Sequence, residues 1–135
     1  MYNNAPNLFI KIEFYIKYYK YKMILIKVVD IIKKVNEPDY FPYKHIKNED
    51  IEYFLENKQF IDTLNTQYNG YKDTIQNHAQ RIASIINLIQ NGIIINPVHI
   101  YIVDDYYEIE DGHHRLRAFH YLNKKIPVIL WNMDF

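Results

Sequence analysis

Residues 111–117 read Asp-Gly-His-His-Arg-Leu-Arg, a run whose residue types suit holding an anion and moving a proton. Ile109-Glu110 ends an alternating segment before it, and Leu116, Phe119 and Leu122 after it have helical spacing. A strand therefore stops, the chain turns at Gly112, and a helix begins with His113, His114 and Arg115 in its first turn. Cations there oppose the partial positive charge of a helix N-terminus and cost roughly 0.3–1 kcal/mol each. Such a turn is either balanced by Glu108, Glu110 and an N-capping Asp111, or built to receive an anion. Gly112 would let the backbone approach a phosphate, and the amides of His113, His114 and Arg115 would point at its oxygens. Arg115 offers two parallel N–H groups to the same guest. Arg117 lies about 200° further round the helix, so phosphate binding and a surface ion pair are equal readings of it. Asp111 is an N-cap, a Mg²⁺ ligand beside phosphate oxygens, or the acceptor of a proton from a hydroxyl or water. His113 and His114 diverge by about 100° and do not suit one metal ion. His120, two turns beyond His113, reads as structural.

The elements that must position this turn follow from periodicity. Ile10, Ile12, Phe14, Ile16 and Tyr18 alternate with Lys11, Glu13, Tyr15 and Lys17, which predicts a half-buried strand. The apolar run Met23–Ile32 is expected to pair with it as a hairpin, and Met23 is an alternative start that would make residues 1–22 a strand extension. Lysines and tyrosines over 17–22 suit an edge strand better than a base-stacking surface. Residues 36–43, with Pro38 and Pro42, are irregular. Asn48 is expected to cap a helix carrying Ile51, Phe54 and Leu55, and 59–64 is read as another short helix. Asn65–Gly70 is a loop by composition. Asp73-Thr74-Ile75-Gln76 resembles a capping box, opening a helix with Ile75, Ala79, Ile82, Ile86 and Ile89 on one stripe and stopping at Asn91-Gly92. Val98–Val103 and Tyr106–Glu110 form a hairpin through Asp104-Asp105, and Ile126–Trp131 is a last strand. The order gives a compact α+β domain over 1–135.

Composition narrows the classes. At 135 residues the chain can bury one core. Sixteen basic and sixteen acidic residues cancel, which weighs against a dedicated duplex-DNA binder. The absence of cysteine excludes disulfides, zinc-thiolate sites and thiol chemistry. No charge-free apolar run approaches about 18 residues, so no membrane span is expected, and the charged N-terminal stretch is unlike a signal peptide. A cytoplasmic location is the default expectation.

The second half resembles the ParB/sulfiredoxin superfamily, specifically the N-terminal nucleotide-binding domain of ParB-like proteins. The resemblance rests on Ser84-Ile85, Gly92, Pro97-Val98, the turn Gly112-His113-His114-Arg115-Leu116-Arg117-Ala118, and Ile126-Pro127-Val128, in family order over about residues 75–130. Val28–Pro38 is a candidate for the family's first strand and Asn-Pro region, whereas 39–72 aligns poorly and reads as a helical insertion. ParB proteins carry Glu-Arg where this chain has His113-His114. Sulfiredoxins place their catalytic cysteine where His113 stands, which excludes sulfinic-acid repair. The Asp-Gly-His-His-Arg form is closer to free-serine-kinase-like members. No length remains after Trp131 for the further domains of a partition protein.

The resemblance implies a nucleotide-binding phosphotransferase or nucleotide hydrolase, using ATP, ADP or CTP with Mg²⁺ and a small hydroxyl-bearing acceptor. Its phosphate site would comprise Gly112, His113, His114, Arg115 and Arg117, with Asp111 as base or metal ligand. Glu37 and Glu49 are unranked candidates for a second carboxylate. The competing expectations are a ParB-like nuclease or DNA-binding regulator, and a non-catalytic interaction domain.

Overall fold

The computed structural model describes residues 12–16, 19–63 and 72–132. Strand β1 (Ile12–Ile16) and β2 (Tyr19–Lys27) lead into helix α1 (Val28–Lys33), then α2 (Asn48–Glu56) and α3 (Ile75–Gln90). The hairpin β3 (Val98–Val103) and β4 (Tyr106–Ile109) precedes α4 (His113–Leu122) and β5 (Lys125–Asn132). The sheet order is β1-β2-β5-β3-β4. All pairings are antiparallel except β3 with β5, so the architecture is α+β with a mixed sheet. Ile10, Lys11, Lys17, Tyr18 and the loop 65–70 lie outside the described residues.

Central strand β5 separates two environments by its period-two alternation. Ile126, Val128 and Leu130 enter the main core with Val98 and Ile100 of β3 and Val28 and Ile31 of α1. Ile129 faces the other way, onto Tyr21, Met23 and Trp131. Pro127 is tolerated because pairing with β3 begins only at Val128, leaving β5 with one neighbour where the N–H is missing. Helix α4 is a wedge: Leu116 and Phe119 pack onto the sheet core, and Ala118 packs onto Ile82 and Ile86 of α3 and Ile51 of α2.

Several boundaries differ from the sequence reading, each for a local reason. The run Met23–Ile32 divides into the end of β2 and the helix α1, so Val28–Lys33 is not a strand. The run is interrupted only by Lys27 and Asp30, too few polar positions to set a period that distinguishes the two. Helix α2 is capped at Lys47, whose amide donates to Asp50 Oδ2 at 2.9 Å. Asn48 is its first helical residue and spends its side chain elsewhere. Residues 59–62 are not helical; the Ile61 amide instead donates to Ser84 Oγ at 2.9 Å. Helix α3 is capped by Thr74, whose hydroxyl accepts from the Asn77 amide at 3.1 Å, one residue later than the expected Asp73. Ile75 is 44% exposed and lies outside the buried stripe. The hairpin closes through Asp104 and Asp105, both left-handed at φ 53° and 65°, the backbone of a type I′ turn.

Candidate functional site

The 111–117 turn sits where strand β4 ends and α4 begins, above the start of β3. Gly112 has φ 99°, a backbone that side chains rarely adopt. A Cβ there would also lie 2.4 Å from Val98 Cγ1. Glycine is thus required by the turn and by its seat on β3, independently of any ligand. The Gly112 amide donates to Asp111 Oδ1 at 2.6 Å, and the helix ladder starts with the Leu116 amide on the Gly112 carbonyl at 2.9 Å. Ahead of that bond the first-turn amides have no partner within the helix.

Asp111, Gly112, His114 and Arg115 line one cleft of about 210 Å³ with Thr63, Arg81, Ile85, Ile95 and Asn96. Arg115 Nη1 is committed to the Asn96 and Pro97 carbonyls, both at 3.0 Å, while Nη2 lies 3.6 Å from Asp111 Oδ2. A fork fully open to phosphate is therefore not what the turn presents. The second guanidinium belongs to Arg81, 4% exposed on α3, which the sequence reading missed. Its signal was present: His78, Arg81 and Ser84 recur at three-residue spacing, a polar line beside the apolar stripe, and all are buried.

The electrostatic puzzle of a cationic helix start is resolved by neutralising the imidazoles. Burial, then the charges of His78, Arg81, His113 and Arg115, push His114 down to about 3. Burial likewise lowers His113, against a smaller opposing effect of Asp111. Only Arg115 carries charge in the first turn.

The two histidines part company. His113 Nδ1 lies 2.8 Å from the Tyr40 hydroxyl, which burial and the Glu37 carboxylate keep protonated. His113 faces a second hollow of about 570 Å³, lined by Glu37, Tyr40, Phe41, Tyr43 and His45 among others. His114 turns inward: its Nε2 lies 2.9 Å from His78 Nδ1, and His78 Nε2 engages the Asp73 carboxylate. The Tyr43 ring stacks on His114 at 4.3 Å and lies tilted against His78 at 4.6 Å.

Arg117 is not brought to the cleft. Its Nη2 donates to the Ile46 carbonyl at 3.0 Å and to Asn48 Oδ1 at 2.8 Å, and its guanidinium lies over the Phe41 ring. It fastens the start of α2 to α4. His120 packs edge-on against Phe41 at 4.7 Å, in keeping with a structural part. Of the two carboxylates considered, Glu37 borders the His113 hollow, whereas Glu49 is exposed in the first turn of α2.

Among the described residues no group of three or more His, Asp or Glu forms a metal cage. A single carboxylate, Asp111, lines the cleft, a donor set that fits Mg²⁺ only where phosphate oxygens share the ion. Among those residues, too, no helix is long and apolar enough to cross a membrane.

No curated protein and no solved structure matches the chain. The family model of the ParB N-terminal domain matches residues 49–134. That span opens at the first turn of α2 and takes in α3, the β3–β4 hairpin, the 111–117 turn and β5, while Glu37, Tyr40 and Tyr43 precede it. With well over half its length matched, the chain belongs to the ParB N-terminal domain family.

Proposed function

We propose that the chain binds a nucleotide across the N-terminus of α4 and transfers or hydrolyses its terminal phosphoryl group. Membership of the family points to interaction with a nucleotide or nucleic acid. The observation that carries the finer reading is the pair Arg81 and Arg115 converging, with the Gly112 turn and Asn96, on one small cleft. Two guanidiniums and a helix N-terminus meet the needs of phosphate oxygens. Size divides the ligand between the two spaces. A cleft of about 210 Å³ suits a phosphoryl group with water or a small hydroxyl-bearing acceptor. The hollow of about 570 Å³ falls within the usual range for small-molecule sites, and Tyr40, Phe41 and Tyr43 there provide faces for a base.

Asp111 would hold Mg²⁺ at the cleft rim. When bound, that ion neutralises phosphate charge, as phosphoryl transfer requires. Gly112 sets the turn, neutral His113 serves as a hydrogen-bonding group, and Arg115 fixes the floor through the Asn96 and Pro97 carbonyls.

The test is calorimetric titration of ATP, ADP and CTP with Mg²⁺, followed by phosphate release. Arg81→Met and Arg115→Ala are expected to weaken binding at least tenfold. Asp111→Asn is expected to keep most affinity and lose turnover. Full affinity in both arginine variants would end this reading.

A further inference from the structure

A line of three groups leads out of the cleft. His114 lines it, His78 behind it is buried at 7% exposure, and Asp73 beyond has a side chain 91% exposed to solvent. The contacts between them are His114 Nε2 to His78 Nδ1 and His78 Nε2 to the Asp73 carboxylate. Tyr43 covers both imidazole faces.

We propose that His114 is the proton acceptor of the cleft, and that His78 and Asp73 are positioning residues forming a relay from the cleft to solvent. The proposal rests on the phosphoryl-transfer reading and assigns the base that reading needs, leaving Asp111 to the metal ion. Bond direction follows from donor and acceptor inventory. An ionised carboxylate only accepts, so His78 Nε2 carries the hydrogen. In the relay proposed each ring carries one proton, so that His78 Nδ1 accepts and His114 Nε2 donates. The lone pair of His114 is left on Nδ1.

The step balances as follows. The oxygen of water or an acceptor hydroxyl forms the new bond to the terminal phosphorus of a nucleoside triphosphate. The bridging P–O bond breaks, and its electron pair leaves with the nucleoside diphosphate. The hydroxyl proton passes to His114 Nδ1. Asp73 balances the resulting imidazolium through His78, the logic of a carboxylate-oriented histidine base.

The charged and titratable groups facing His114 are His78 and Arg81 from α3, His113 and Arg115 from α4, and Tyr43 from the segment between α1 and α2. Burial above all, then the charges of His78, Arg81, His113 and Arg115, hold it neutral in the free protein. An anion seated beside Arg81 and Arg115 offsets their part of that depression, so the base gains proton affinity when phosphate is present. The relay thereby couples base strength to ligand occupancy.

Nitrogen-15 NMR of the histidine side chains tests this on the intact chain, with and without inorganic pyrophosphate. Expected in the free protein is a hydrogen on His114 Nε2 and a lone pair on Nδ1. Expected with pyrophosphate is a rise of a pH unit or more in His114 protonation, smaller in Asp73→Asn. A His114 hydrogen on Nδ1, or pyrophosphate binding that leaves its titration unmoved, would overturn the relay. Absence of pyrophosphate shifts at the 113–116 amides counts against the nucleotide site instead, and the tautomer then decides the relay. In turnover, Asp73→Asn is expected to lower kcat about tenfold with KM unchanged and to displace the acid limb of the pH profile. His114→Gln is expected to lose about a hundredfold. Unchanged kcat in His114→Gln would remove it as the base.

Discussion

At the scale of single residues, identical types in one turn take different roles because the helix turns them toward different neighbours. His113 meets Tyr40, His114 meets His78, and Arg115 and Arg117 leave on different sides, one to carbonyls of the α3–β3 loop and one beneath α2. Gly112 is the least replaceable. Gly112→Ala combines a left-handed backbone, at roughly 1–2 kcal/mol, with overpacking against Val98, at roughly 1–3 kcal/mol. A loss of about 3 kcal/mol in denaturant unfolding is expected, and a loss below about 1 kcal/mol would contradict the packing. His114 also makes stability depend on pH. Its folded value lies well below the unfolded one near 6.5, so the unfolded chain binds the extra proton first. Stability should therefore fall as pH drops from about 6.5 toward 3, and less steeply in His114→Gln. Equal slopes in the two proteins would show that His114 is not buried in its neutral form.

At the scale of elements, local chemistry was legible and long-range partnership was not. The segments Val98–Val103, Tyr106–Glu110 and Ile126–Trp131 marked β3, β4 and β5, the Asp104-Asp105 turn marked the β3–β4 hairpin, and Asn91-Gly92 marked the end of α3. Helix α1 escaped because its apolar residues follow those of β2 with only Lys27 and Asp30 interrupting the run, too few polar positions to mark the change of period. Arg117 was ambiguous because its partners, Ile46 and Asn48, lie 71 and 69 residues away. The same distance hid Tyr40 from His113 and Arg81 from Arg115. Arg117→Met should strand the buried Ile46 carbonyl and cost about 2–3 kcal/mol while leaving nucleotide affinity intact. Affinity lost in that variant would place Arg117 in the site after all. Thr74→Ala should cost about 1 kcal/mol through the lost cap of α3. Unaltered unfolding there would deny the cap its part in holding His78 and Arg81.

At the scale of the molecule, a charge-balanced chain brings two guanidiniums, Arg81 and Arg115, to one small cleft. That favours a small anionic ligand over a long polyanion, whose binding would be strongly salt-dependent. The family resemblance was legible because its motifs are short, ordered and local, from Ser84-Ile85 through Ile126-Pro127-Val128. The hollow beside His113 was not, because residues 37–45 precede the matched span and reach the turn only through the fold. The most direct test of the account is a thermal-shift series with ATP, ADP, CTP and GTP, with and without Mg²⁺, on wild type and Arg115→Ala. Ligand at a hundred times its dissociation constant adds about 2.7 kcal/mol, a rise of several degrees. The account predicts that rise for at least one nucleotide and its loss in Arg115→Ala. No rise with any nucleotide, beside salt-sensitive retention of DNA, would contradict it.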